Sequence, residues 1–164
     1  MRAFQTAVFG ISKGAAVVAA TLLVLMVLHI LLEIALRSFF ASSTFVLDEF
    51  VGYGVAAMTF LSLGYALETD SLIRVQLLLG RSAPPVRRRL EILAAGLTLA
   101  LTLFLMAYFW RSFARNWSRG AVSQSIAEVP LWIPEGLVLL GVVLFALQLF
   151  AHLLRLLQPP PRPG

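Results

Sequence analysis

The sequence predicts an all-α integral membrane protein with four transmembrane helices, both termini in the cytoplasm, and a short interfacial segment between helices 2 and 3. Three observations lead to this. Of 164 residues, 60% are hydrophobic and only 13% are charged, where a soluble domain carries about 25% charged residues. Four apolar runs approach or reach the ~20 residues needed to cross a hydrocarbon core of about 30 Å. All 13 Lys and Arg residues lie on the flanks of those runs, with Arg37 directly at the exit of the first. There are no cysteines, so no disulfide framework or thiolate metal site can form. The net charge of +5 is a topology signal more than a nucleic-acid footprint, because the arginines do not interleave with aromatics on a polar face.

The first run covers residues 14–36, preceded by Arg2 and Lys13. It is longer than the apolar part of a secretory signal and no small-residue cleavage site follows it, so it is expected to remain as a signal anchor. The second run, residues 50–67, opens behind Asp48 and Glu49 and closes at Glu68. The third covers 92–110 and the fourth 136–154. Residues 1–157 are read as one four-helix domain, and residues 158–164 as a Pro-rich flexible tail.

Orientation follows from Lys and Arg on the two sets of flanks. The N-terminal segment, middle loop and tail carry nine, including Arg87, Arg88 and Arg89, while the opposite side carries Arg37, Arg111, Arg115 and Arg119. The richer side is placed in the cytoplasm, with Arg87 to Arg89 as anchors at the anionic leaflet. Trp110, Trp117 and Trp132 then fall on the outer side, at the level favoured by indole rings. Residues 71–80 mix leucines with a few polar groups and are too short to span, which suits an element lying in the interface. Residues 111–133 are read as the longest extramembrane connection.

Several residues are candidates for function. His29, Glu33 and Arg37 recur every four residues along one face of helix 1. Glu four residues before Arg is the favourable order for an ion pair, and ionisable groups in a membrane suggest function by default. The alternatives are a snorkelling Glu33–Arg37 pair, pairing with another subunit, or a proton or substrate relay. Asp48 and Glu49 sit at the partly positive start of helix 2, worth about 0.3–1 kcal/mol to each carboxylate. They point about 100° apart, so one can meet Arg37 while the other faces a partner. Gly52, Ala56 and Gly64, with Gly54, Ala57 and Ser62, form a small-residue surface that another helix can approach closely, from this chain or from a partner. His29 and His152 lie at opposite ends of their helices, so they cannot flank one haem. The GxGxxG phosphate-cradle and HExxH zinc-protease motifs are absent from the sequence.

In this order the features resemble the small four-helix membrane subunit of tripartite ATP-independent periplasmic (TRAP) transporters, the DctQ type. The resemblance rests on Arg37 ending the first helix, the Asp48-Glu49 pair opening the second, Gly64 late in that helix, Ile73-Arg74-Val75 just beyond it, and Pro130, Trp132 and Pro134 before the last helix. It implies a non-enzymatic scaffold in the bacterial inner membrane, with no cofactor of its own. Its partners would be a large multi-helix permease subunit carrying substrate and sodium coupling, a periplasmic binding protein delivering an organic acid, and membrane lipids, but no nucleic acid. The interface candidates are Arg37, Asp48, Glu49, Gly52, Ala56, Gly64 and Arg74. Two rival readings are a small self-contained multidrug/proton antiporter and a membrane anchor of a respiratory complex. The strong Lys and Arg asymmetry argues for one fixed orientation and so against the dual-topology form of the first.

Overall fold

The computed structural model describes residues 2–69, 71 and 84–158. Among these residues there are four helices, α1 (Arg2–Phe40), α2 (Leu47–Glu68), α3 (Pro84–Arg119) and α4 (Trp132–Leu157). All four contain a segment long and apolar enough to cross a membrane. They alternate in direction, so one end of the bundle carries both terminal helix ends and the other carries connections 41–46 and 120–131. Residues 72–80, Arg74 among them, and residues 159–164 of the tail lie outside the described residues.

α1 has 39 residues and α3 has 36, about 58 and 54 Å at 1.5 Å per residue, well beyond a 30 Å core. The expected loop 111–133 is therefore corrected: 111–119 continue α3, and the connection begins at Gly120. Hydropathy marks only the part of a helix that suits hydrocarbon, whereas a nucleated helix propagates through Arg, Ala, Ser and Asn at little cost. α3 ends where Gly120 takes φ +57. Its N–H bonds Trp117 O and that of Ala121 bonds Asn116 O, the paired closure in which a left-handed residue satisfies terminal carbonyls. At the other end, Pro84 and Pro85 occupy the first turn, where a missing N–H is harmless.

α4 is the centre of the bundle. Within the apolar windows, 44% of α4 and 28% of α2 is buried, against 11% of both α1 and α3. α4 packs against α1, α2 and α3, while α1 also packs on α2. α3 leans on α4 and reaches α2 through the Phe60–Phe109 ring contact. In α1 the buried positions Val8, Ser12, Ala15, Ala19, Met26 and Glu33 follow an alternating three- and four-residue or seven-residue spacing, the seam of a helix packed along its length. In α2 the seam is Gly54, Ala57, Leu61, Gly64 and Leu67. Close approach depends on the glycines: a Cβ on Gly54 would collide with the Met26 side chain, and one on Gly64 would stand 2.9 Å from Ser12 Oγ. Between hydrocarbon-facing helices such packing matters because lipid tails are as apolar as leucine. The remaining faces of α1 and α3 expose Leu, Val, Ile and Phe.

Candidate functional site

Glu33 organises the end of α1. Only 2% of its side chain is exposed. Its Oε1 accepts from Arg37 Nε at 2.8 Å and from the Ser43 hydroxyl, while Oε2 accepts from Thr44 N at 3.0 Å and Thr44 Oγ1 at 2.6 Å. The i,i+4 pair expected from the sequence is present, but Arg37 is one donor of a four-donor cage. The cage matters because connection 41–46 turns through left-handed backbone at Ala41 (φ 44) and Phe45 (φ 59), a conformation costly for residues with a Cβ. A buried carboxylate with all its donors supplied can hold such a turn.

The turn delivers Asp48 and Glu49 to the first turn of α2. The expectation that one of them meets Arg37 is corrected: Arg37 is directed to Glu33 and, at 3.5 Å, to Ser43 Oγ. Asp48 is exposed. Glu49 accepts from Tyr53 OH at 2.7 Å, and Ser123 and Ser125 of the distal connection interact with the same carboxylate. Neither serine forms a hydrogen bond of ordinary geometry to Oε2, which is buried without one. The α4 start repeats the pattern: Glu135 Oε1 accepts from Ser112 Oγ at 2.9 Å and Asn116 Nδ2 at 2.8 Å, and its Oε2 is buried without a partner. In both cases the N-terminal turn of a helix supplies the positive potential that a carboxylate favours.

Aromatic rings tie this end together. Trp110, Phe113 and Trp117 form a row along α3 with ring centroids 5.9 and 6.0 Å apart, and Trp117 meets Trp132 of α4 edge-on at 4.6 Å. His29 lies one turn inward from Glu33, edge-on to Phe50 at 6.0 Å. It borders an apolar cavity of about 280 Å³ between α1, α2 and α4, with Met26, Tyr53 and Pro134 also in its wall.

The small-residue surface of α2 divides. Gly54, Ala57 and Gly64 are buried within this chain, whereas Gly52 has open space around it and Ala56 is half-buried. At the terminal end, sequence reasoning missed a polar network. Gln148 Nε2 donates to Glu68 Oε2 at 2.7 Å, Arg155 Nη1 donates to Glu68 Oε1 at 2.9 Å, and Ser12 Oγ donates to Gln148 Oε1 at 3.3 Å. Gln148 is 1% exposed, and an amide in the middle of an apolar helix was the available signal. The basic triplet also separates. Arg87 pairs with Glu91 at 3.0 Å. Arg88 donates to the carbonyls of Leu156 and Gln158 at the end of α4. Arg89 is exposed. Among the described residues no cluster of three or more His, Asp or Glu side chains could hold a metal ion.

The hydrogen-bonded carboxylates thus gather at the two ends of an apolar four-helix bundle. Residues 26–159 match the family described as tripartite ATP-independent periplasmic transporters, DctQ component. No curated protein and no solved structure matches the chain. With most of its length matched and four membrane-spanning helices, it is a multi-pass protein of the bacterial inner membrane, and it belongs to the DctQ family of TRAP transporter small membrane subunits.

Proposed function

We propose that this subunit is a scaffold: it holds the large, ion-coupled subunit in the bilayer and contributes part of the outer surface on which a periplasmic binding protein docks to deliver an organic acid. Both termini face the cytoplasm, sodium coupling belongs to the large subunit, and this chain's part in transport is non-enzymatic. The observation that supports the reading is the distribution of polar groups. The hydrogen-bonded carboxylates of Glu33, Glu49 and Glu135 lie at one end and the Glu68–Gln148–Arg155 network at the other. Between them the α2–α4 seam is built from Gly54, Ala57, Leu61, Gly141 and Val142. That arrangement suits a rigid body better than an ion path, because an ion in transit needs polar groups along its way. The large apolar faces of α1 and α3 are suited to a membrane partner or to lipid.

Under this reading Asp48 and Glu49, with exposed Gly52 beside them, belong to the rim that meets the partners. The double change Asp48→Asn with Glu49→Gln is expected to lower uptake by weakening assembly or docking. Co-purification with the large subunit and uptake dependent on the binding protein are the two measurements. If both stay at wild-type level, the acidic pair serves only the helix dipole and the rim assignment fails.

A further inference from the structure

α3 reaches beyond what the membrane requires. Its apolar body ends at Trp110, yet the helix continues nine residues to Arg119, about 13 Å at 1.5 Å per residue. The extension is braced on one side. Trp110, Phe113 and Trp117 form its aromatic face, joined to Trp132, and Ser112 and Asn116 are bonded to Glu135. Arg111, Arg115 and Arg119 recur every four residues, and at 100° per residue their row stands roughly opposite the aromatic one. All three are exposed. Among the described residues none of them forms an ion pair, and the one guanidinium hydrogen bond is a 3.5 Å approach of Arg115 to Ser112 Oγ. Of the acids at this end, Glu33 is engaged by Arg37, Ser43 and Thr44, Glu49 by Tyr53, and Glu135 by Ser112 and Asn116; Asp48 and Glu128 are exposed and, among the described residues, pair with none of the three arginines.

We propose that the Arg111–Arg115–Arg119 row is a docking surface for an acidic face of the water-soluble binding protein. This rests on the docking role and orientation proposed above and names the surface that performs it. Two simpler explanations each cover only part of the row. The helix dipole favours a cation in the last turn, which accounts for Arg119 alone. Lipid phosphates account for Arg111 and Arg115, because the headgroup layer extends about 5–7 Å beyond the hydrocarbon. Arg119, about 13 Å out, reaches the edge of that layer only by extending its side chain back along the helix. An acidic protein surface engages all three, and guanidinium groups on a braced helix give up little freedom in meeting carboxylates.

The test uses the complex of this chain with its large partner in nanodiscs of phosphatidylcholine, titrated with the transporter's own soluble binding protein at low and high salt. Arg115→Glu with Arg119→Glu is expected to weaken binding at least about tenfold at low salt and to flatten its salt dependence. Arg115→Gln with Arg119→Gln should give a smaller loss of the same sign, and it keeps the test readable if charge reversal impairs folding. Wild-type affinity in both variants overturns the proposal, as does a loss confined to retention on phosphatidylglycerol vesicles, which would assign the row to headgroups. If the wild-type complex itself fails to bind, the docking role falls and the row's assignment falls with it. If the wild type binds and the variants match it, only the row is wrong.

Discussion

Gly141 of α4 lies against the backbone of Phe60 in α2: a Cβ at position 141 would stand 2.6 Å from the Phe60 carbonyl carbon and 2.8 Å from Leu61 N. A rotamer change cannot relieve a contact with backbone, so the two helices would have to part. Gly141→Ala is expected to destabilise the bundle by about 1–3 kcal/mol, the usual range for overpacking. A lower thermal unfolding midpoint of the purified protein is the readout. Gly52→Ala, made where nothing lies within 4 Å, is expected to be neutral or to stabilise by up to about 1 kcal/mol through helix propensity. Equal midpoints for the two variants would contradict the α2–α4 crossing.

Gln148 joins three helices through Ser12 and Glu68. Gln148→Leu retains similar bulk and removes both links, with an expected loss of about 1–2 kcal/mol for interhelical hydrogen bonds in a membrane protein. Gln148→Glu should cost more, since it sets a second carboxylate against Glu68. A double-mutant cycle with Ser12→Ala isolates the α1–α4 contact; a coupling energy of zero would remove Ser12 from the network.

The cage around Glu33 predicts a local effect. Glu33→Gln loses the charge that attracts Arg37 and replaces one acceptor oxygen with a donor amide facing hydroxyl and N–H groups. Hydrogen exchange at the Thr44 amide, now bonded to Oε2, is expected to speed up by about tenfold or more as the connection opens locally. Exchange as slow as in the wild type would mean that the left-handed turns hold without the carboxylate.

Arg88 and Arg89 are neighbours in sequence with different environments. Arg88→Gln removes a charged donor from the Leu156 and Gln158 carbonyls, with an expected cost of about 1 kcal/mol once solvent screening is included. Proteolysis at the end of α4 should accelerate. Arg89→Gln should leave the α4 end as it is. Identical cleavage rates would return Arg88 to the role of a general lipid anchor.

Part of the candidate site was legible because its partners are close in sequence. Glu33 and Arg37 are one helical turn apart, so helix geometry alone brings them together. Asp48 and Glu49 stand behind a long uncharged run, which marks a helix start. The other contacts were not legible, because Thr44 meets Glu33 across a turn whose backbone, left-handed at Ala41 and Phe45, has no glycine to announce it. The Arg37 assignment failed for the same reason: Ser43 and Thr44 occupy the space around the Glu33–Arg37 pair, and the acids begin one turn further along.

Composition and the placement of charge were sufficient by themselves to set four membrane-crossing helices and their order of features, because burying an unpaired charge or an open backbone group in hydrocarbon is too costly to leave many alternatives. Those constraints act on each segment separately. Which helix lies at the centre, and which glycines serve this bundle and not a partner, depended on tertiary packing, since hydrocarbon accepts any apolar face equally and only steric fit between helices distinguishes them. The same applies to Gln148 with Glu68, 80 positions apart, and to the braced extension of α3. Only the folded chain brings those groups within hydrogen-bond distance or sets Trp117 against Trp132.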